Sequence, residues 1–505
     1  MNGIAVAWAR LLGLQIVGLA VAVATVAIAA IVVPPAVYGQ YALVLSLLQV
    51  ISPVTLSWIS QSAVRFGREE YLLNGGIAAT LGSVLAMQVP LFGLVCVAVW
   101  IAMPWLETWA AGARFDWIAF TALGGIAAAE TLAYAAQAAG RFTGYGAGQL
   151  LVRAGLAGAL VPIYFGVGAD ARLLLAGTAA GSIAAAAMTF VSIPRRSRAK
   201  LRFDPPLARR ILAYGWKLPL GAASGILFAW IDIWFIRSLI DLDAAGVYAW
   251  AYNVFRMAAM VLMPLSTVLA PLMADLRLSG DRDRSARGLR AILAAFILAS
   301  AMVPIGLVPL RWAAELIVPT NYHAAIAPAI MLGGTMSLQL FVLGVNPLVM
   351  AYERAVGGVV ILNVAMLGLN AVGDLLLIPR LGILGAAAAT ASATWLSVLV
   401  MNRLAWRFSQ LDRELERSTT RLVAAVGAAD LMAAFAIAEV QSVYWPWVLA
   451  AAAALSFFAL RRAGYLRGLG ALSPQLAALP WGRTMVQAIA WCEGRARPSV
   501  APEQV

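Results

Sequence analysis

Charge is scarce in this sequence. Asp, Glu, Lys and Arg make up 12% of 505 residues while hydrophobic residues make up 63%, and the charged share is about half that of an ordinary soluble domain. A soluble globular enzyme of this length is excluded on that ground. Cysteine is nearly missing: Cys96 falls in a long apolar run and Cys492 lies near the C-terminal end. Neither a disulfide framework nor a thiol–metal site is available from two such distant thiols. The one histidine, His323, excludes a multi-histidine zinc or haem site, and with no relay-like neighbours it reads as a surface residue. No cofactor-binding, metal-ligating or catalytic constellation emerges. Lysine is limited to Lys200 and Lys217 against 34 arginines, so arginine rather than lysine at one position says little by itself.

The net charge of +13 invites a nucleic-acid reading, but the distribution of the charges refuses it. What the chain has in abundance is apolar runs of 20 or so residues, each long enough to cross a bilayer. The mean hydropathy is +0.86. About fourteen transmembrane helices are expected, near 11–33, 40–60, 75–103, 117–138, 145–166, 172–193, 218–240, 246–274, 289–310, 324–350, 356–379, 382–402, 422–440 and 444–460. The class is therefore an all-α polytopic membrane protein. Alternate loops carry 29 of the basic residues on one side, termini included, and 4 on the other (Arg114, Arg172, Arg311 and Arg380). The positive-inside rule places both termini in the cytoplasm and favours an even number of spans. The first span is too long for a signal-peptide core and leads directly into a second span. External loops are short, about 13 residues at most.

The most basic segment, 194–217, falls between the sixth and seventh spans, where a linker between two six-helix halves belongs. The expected organisation is an N-terminal lobe at 1–193, this cytoplasmic linker, a C-terminal lobe at 218–405, accessory spans at 406–460 and a tail at 461–505. A short repeat agrees: Gly39-Gln40-Tyr41-Ala42 opens span 2 and Gly246-Val247-Tyr248-Ala249 opens span 8. Duplicated halves with a substrate path between them are a recurrent transporter plan. In the tail, Trp481, Met485, Ala488 and Cys492 recur at helical spacing beside arginines, as in an interfacial helix.

Ionisable residues inside spans are costly and normally face a cavity or a partner. Here they are Glu130, Arg153, Asp232, Arg237, Arg256, Asp374 and Asp430. Hairpin geometry puts Glu130 at the depth of Arg153, and Asp232 at the depth of Arg256, so each half is expected to hold one carboxylate–arginine pair. Polar stripes accompany them: Asn253, Arg256, Met260 and Thr267 on span 8; Asn363, Asn370 and Asp374 on span 11; Ser46, Gln49, Ser57 and Ser60 on span 2. Such a stripe is either glue between helices or the lining of a wet cavity, and three stripes beside buried charges favour the cavity. Prolines within spans, among them Pro53, Pro90 and Pro264, permit kinks.

Four stretches carry a family resemblance. They are Val33-Pro34-Pro35-Ala36-Val37-Tyr38-Gly39-Gln40-Tyr41-Ala42; Gln61-Ser62-Ala63-Val64-Arg65-Phe66; Asp232 through Gly246-Val247-Tyr248 to Pro271; and Leu377-Ile378-Pro379-Arg380-Leu381-Gly382-Ile383-Leu384-Gly385-Ala386-Ala387. In this order, over about residues 1–405, they resemble the polysaccharide-transporter branch of the multidrug/oligosaccharidyl-lipid/polysaccharide exporter superfamily, the O-antigen-type flippases. One departure is that Ile233, not a basic residue, follows Asp232, and the arginine comes later at Arg237.

The resemblance implies two six-helix lobes forming a V plus two accessory helices, in a bacterial inner membrane. It also implies a lipid-linked oligosaccharide moved from the cytoplasmic to the periplasmic leaflet, with H+ or Na+ as the coupling ion. Polysaccharide polymerase machinery is the implied protein partner, and membrane lipid the surrounding one. A polyprenyl-pyrophosphate head group is anionic, and guanidinium forks bind phosphate bidentately. Arg153, Arg237 and Arg256 are the expected attractors, Asn253, Asn363 and Asn370 the sugar contacts, and Glu130, Asp232 and Asp374 the ion-coupling groups. A peptidoglycan-precursor flippase fits the same charge logic. A drug or cation antiporter would want acidic groups to dominate, and a membrane polymerase or ligase would need a large external loop that the chain lacks.

Overall fold

The computed structural model describes residues 2–109, 116–215, 218–278, 282–350, 353–408 and 413–439. Every regular element among them is helical, because in hydrocarbon a backbone must satisfy its own hydrogen bonds. In chain order these are α1 (Asn2–Val32), α2 (Pro35–Ser52), a π-helical turn (Pro53–Ser57), α3 (Trp58–Asn74), α4 (Ala78–Trp109), α5 (Trp117–Ala138), α6 (Phe142–Tyr164) and α7 (Ala171–Ser192). The short α8 (Arg195–Ala199) and α9 (Pro205–Gly215) follow, then α10 (Leu218–Leu239), α11 (Leu242–Leu278) and α12 (Arg282–Ile317). A 3-10 turn (Thr320–Ala325) leads into α13 (Ile326–Gly333), α14 (Met336–Met350), α15 (Glu353–Leu381), α16 (Ile383–Phe408) and α17 (Arg413–Glu439). Nine of the described helical stretches are long and apolar enough to cross a membrane, or ten if Thr320–Gly333 and Met336–Leu343, bent by 41° at Gly334, form one broken span. The expected span at 444–460 and the tail helix lie outside the described residues.

Most expected spans coincide with helices to within a few residues. Two differ for physical reasons. Span 2 was expected to end near residue 60, where the apolar run ends, yet the helical path continues to Asn74. A helix of about 40 residues is roughly 60 Å long, twice the hydrocarbon thickness, so α3 is a polar extension that carries Arg65, Arg68, Glu69 and Glu70 out of the bilayer. Span 10 is broken between Gly333 and Met336, and there Gly334 packs tightly on α17: a Cβ would strike Ala434.

Two compact units are formed, one from Met1–Met257 with Pro319–Tyr322, the other from Ala258–Val318 with the described residues from His323 onward. In the first unit, α6 packs on α1 and α7, and α5 on α7. The α6–α7 crossing is made by small residues: a Cβ on Gly155 would meet the Gly177 carbonyl and the Gly181 backbone, the small-xxx-small pattern of membrane helix pairs. On the α5 and α7 ends, Asp116 accepts from the Ile118 N–H and Asp170 from the Arg172 N–H, both at 2.9 Å. An ion pair between Asp116 and Arg172 joins the two helix starts.

The repeated tetrapeptides meet face to face. A Cβ on Gly39 would land on the Leu242 carbonyl, and one on Gly246 on the Pro35 carbonyl. In the register that aligns Gly39 with Gly246, Pro35 aligns with Leu242, so the two contacts are reciprocal. A local pseudo-twofold axis therefore runs between α2 and the start of α11. The same register aligns Tyr41 with Tyr248, Ser46 with Asn253 and Gln49 with Arg256.

The 194–217 segment is docked on the turn between α3 and α4. The fully buried Ser197 hydroxyl accepts from the Ile77 N–H at 3.0 Å. The Asp204 N–H donates to Ser83 Oγ at 3.0 Å, and Asp204 caps α9 by accepting from the Leu207 N–H at 3.1 Å. Ile211 and Leu207 of α9 pack on a core of Ile59, Ala63, Phe66 and Val84.

In the second unit α15 and α16 form a tight hairpin turned at Gly382, whose φ of 59° lies in the left-handed region that glycine tolerates. A Cβ on Gly427 of α17 would strike Trp395 of α16, whose indole N–H donates to the Ala424 carbonyl at 3.2 Å. Arg311 of α12 donates to the Ile437 and Ala438 carbonyls at the end of α17.

Candidate functional site

The expected substrate and coupling residues divide between the two units: Glu130, Arg153, Asp232, Arg237, Asn253 and Arg256 in the first, Asn363, Asn370 and Asp374 in the second. In the first unit Asp232, Arg237, Asn253 and Arg256 lie on α10 and α11, while Glu130 is on α5 and Arg153 on α6. Asp232 is buried on α10, and the Tyr248 hydroxyl of α11 donates to its Oδ2. One helical turn beyond Tyr252, the half-buried Arg256 lays its guanidinium over the Trp230 ring, 5.5 Å from the centroid. Its electrostatic neighbours include Tyr38, Tyr41 and Tyr252. Asn253 donates from Nδ2 to the Tyr38 hydroxyl at 2.9 Å. The hairpin arithmetic put Arg256 opposite Asp232; the structure instead gives Arg256 an aromatic face and Asp232 a tyrosine hydroxyl.

Glu130 of α5 departs further from expectation. Its Oε2 accepts from both Ser52 and Ser57, the former at 3.3 Å. These serines flank the π turn that starts at Pro53. Proline has no N–H to give the helical ladder, and the wider turn brings both hydroxyls to one carboxylate. A π turn of this kind is a recurrent feature of functional sites. Arg153 of α6 points elsewhere, its guanidinium packed against Gly18 of α1 where a Cβ would collide with it. Because α6 packs on α1 and α7 rather than facing α5 closely, the expected pair does not form among the described residues.

The span-2 stripe is consumed as glue. Ser46 accepts from the Trp234 indole at 2.7 Å. Ser60 shares a hydrogen bond with Thr131 at 2.8 Å and accepts from Gln88 at 2.5 Å, while Gln88 also donates to the Leu56 carbonyl at 2.9 Å. Ser46, Ser57 and Ser60 are buried, which removes them from any wet lining. Each such interhelical bond is worth about 0.6 kcal/mol, up to about 1.7. Arg237 sits in the last turn of α10, half-buried, a position a helix dipole favours for a cation.

In the second unit Asn370 and Asp374 of α15 are fully buried, and Thr390 of α16 donates to Asn370 Oδ1 at 3.2 Å. Asn363 is only half-buried on the same helix. Asp430 of α17, one of the ionisable residues expected inside a span, accepts from Ser337 at 2.5 Å and is buried. His323 is exposed, its Nε2 2.8 Å from the Val318 carbonyl. Tyr38, Tyr41, Tyr248, Trp230 and Ser52 were not singled out by sequence. The signal for some was present: Tyr41 and Tyr248 belong to the repeated tetrapeptide, and Pro53 marks the turn beside Ser52.

Nine or ten apolar spans among the described residues, with Glu130, Asp232 and Asp430 each accepting a hydroxyl hydrogen bond, define a polytopic α-helical membrane protein. Residues 6–277, over half of the chain, match the family described as polysaccharide biosynthesis protein, and the chain belongs to that family. The resemblance carried by the four stretches above holds at that level. Among solved structures, the lipid II flippase MurJ in its inward closed conformation superposes with a TM-score of 0.63 over 91% of this chain and 98% of that one. Identity is 11%, so the likeness is one of fold. No curated protein sequence matches the chain.

Proposed function

We propose that the protein is a flippase for a polyprenyl-pyrophosphate-linked oligosaccharide, moving it from the cytoplasmic to the periplasmic leaflet for O-antigen or exopolysaccharide synthesis. The observation that carries this reading is Arg256. It is a half-buried guanidinium in a spanning helix, stacked on Trp230 and with no ion pair among the described residues. A cation kept there without a carboxylate is costly unless an anion or water meets it, and a pyrophosphate is the anion its fork suits. Asn253 stands one turn away for hydroxyl contacts, with Arg153 and Arg237 as further attractors and Asn363 and Asn370 as further sugar contacts. Glu130, Asp232 and Asp374 are the proposed coupling groups for H+ or Na+, and polysaccharide polymerase machinery is the proposed consumer of the product. In this reading the membrane is a bacterial inner membrane and the termini and the 194–217 linker are cytoplasmic. A cysteine at the exposed Arg196 should then resist impermeant reagents in intact cells.

The test is leaflet translocation in proteoliposomes loaded with a polyprenyl-pyrophosphate oligosaccharide. Transport by the wild type and its loss in Arg256→Ala support the reading, and transport of neither this substrate nor a shorter analogue sinks it. A second reading, a peptidoglycan-precursor flippase, is favoured by the fold shared with the lipid II flippase. The same vesicles loaded with a lipid-linked disaccharide peptide decide between the two.

A further inference from the structure

Beside the docked linker, an open apolar groove of about 550 Å³ lies among α3, α4 and the linker, lined by Trp58, Met87, Leu91, Leu94, Phe203 and Leu212 among others. The size is within the range of small-ligand sites. It is entirely apolar, yet the linker that walls it carries the densest positive charge in the chain. Arg202 directly precedes the lining residue Phe203, and Arg209 stands one helical turn before the lining residue Leu212 on α9. Both arginines are exposed. Their neighbours are otherwise committed: Arg65 lies 4.9 Å from the Tyr214 ring, and Arg210 lies 5.1 Å over Phe66 and 3.5 Å from Glu69. The linker also exposes apolar side chains beside these charges, with Phe203 at 55% and Leu212 at 42%. In water that surface is unfavourable, while at a membrane interface an arginine-and-aromatic helix is at home.

We propose that this groove is a binding site for one anionic phospholipid of the leaflet on the linker side, its acyl chain lying against Leu91, Leu94 and Phe203 and its phosphate held by Arg202 and Arg209. The occupant follows from the combination. An acyl chain matches the apolar lining, and a diester phosphate matches two exposed arginines within three residues of lining residues. The linker's position is fixed by the Ser197–Ile77 and Asp204–Ser83 bonds, so the backbone that carries the two arginines is anchored beside the groove rather than on a loose loop. A lipid bound there braces the linker against α3 and α4.

The test uses the full-length protein, delipidated and offered equal amounts of phosphatidylglycerol and phosphatidylcholine of the same chains, with bound lipid counted by native mass spectrometry. The expected result is one retained phosphatidylglycerol, preferred about tenfold, the scale of two arginines near an anionic head group. Arg202→Gln with Arg209→Gln should reduce the preference below twofold while the melting temperature without lipid is unchanged. Met87→Trp, which fills the groove, should lose the retained lipid altogether. Arg196→Gln, equally exposed on the linker but remote in sequence from the lining residues, should change nothing. An unchanged preference in the double variant overturns the proposal. So does an equal loss from Arg196→Gln, which would mean diffuse attraction, or displacement of phosphatidylglycerol by a polyprenyl phosphate at equal concentration, which would make the groove a substrate site.

Discussion

Helix α2 and the start of α11 share a repeat, yet they have been put to different uses. Their glycines, Gly39 and Gly246, make the same reciprocal backbone contact, and their tyrosines, Tyr41 and Tyr248, both bond into a neighbouring helix. One and two turns further on the two diverge. Where α2 has Ser46 and Gln49, α11 has Asn253 and Arg256. Ser46 is spent on the Trp234 indole, whereas Arg256 lays its guanidinium over the Trp230 ring. The positions that fix the crossing are held in common, and the chemistry has been added to one copy alone. Substrate chemistry in the first unit is therefore expected on α11, with α2 acting as its support.

The largest effect should come from breaking what the copies share. Gly246→Val places a branched side chain on the Pro35 carbonyl, an obstacle that is backbone and has no rotamer to yield. Overpacking of this kind costs about 3 kcal/mol or more, and the purified variant should show a melting temperature lowered by many degrees or fail to insert. Gly39→Val should behave alike, since the contact is reciprocal. Gly13→Ala on α1, where a Cβ meets nothing, is the control and should sit within about 0.5 kcal/mol of wild type. A strong effect at only one of the two glycines would break the symmetry argument.

Next comes the difference between the copies. Losing a charge-assisted bond to a phosphate costs about 1.5–3 kcal/mol, so Arg256→Ala should lower transport roughly tenfold to a hundredfold with little change in melting temperature. Gln49→Ala should leave transport within about twofold. Arg256→Lys should recover only part of the loss, since the ammonium lacks the planar fork. Equal sensitivity of Gln49 and Arg256 in the translocation assay would place substrate on both copies.

Glu130 gives a smaller and more diagnostic effect. Glu130→Ala removes the acceptor that Ser52 and Ser57 share and leaves them only each other at 3.2 Å, so one buried hydroxyl loses its acceptor at about 1–3 kcal/mol, whereas Glu130→Gln keeps an acceptor for both. A structural role predicts that the glutamine variant is both stable and active. A coupling role predicts a stable protein whose transport no longer responds to an imposed ion gradient.

How much of this was legible in the sequence depends on the length scale of the signal. Spans were legible because twenty apolar residues in a row have one physical outcome in a bilayer, and expected span 4 at 117–138 is α5 to the residue. The end of span 2 was missed because hydropathy reports where a helix leaves the membrane and not where it stops. For the site, hairpin geometry offered depth alone, pairing Glu130 with Arg153 and Asp232 with Arg256. Partners were not legible, since depth is set by the 1.5 Å rise but facing is set by which helices pack together. Arg153 turns to α1 because Gly18 leaves room there. Nothing in the sequence of the linker sets Ser197 apart, and only the docking of the linker shows it as a buried acceptor.

The smallest effect tests the two tyrosines against each other. Tyr41 shares its hydroxyl with Thr178, a neutral partner at 3.0 Å that also donates to the Leu174 carbonyl. Tyr248 donates to the buried carboxylate of Asp232. Tyr41→Phe should then cost no more than the roughly 0.6 kcal/mol typical of a neutral bond between membrane helices, because Thr178 keeps its backbone acceptor. Tyr248→Phe should cost about 1.5–3 kcal/mol, the worth of a bond to a charged group. A double-mutant cycle with Asp232→Asn separates that bond from packing: if the carboxylate is the partner that matters, Tyr248→Phe in the Asp232→Asn background should cost clearly less than it does alone. Equal costs at Tyr41 and Tyr248, with no coupling in the cycle, would mean that the repeated tyrosines serve packing alone, and that α10 and α11 hold Asp232 by other contacts.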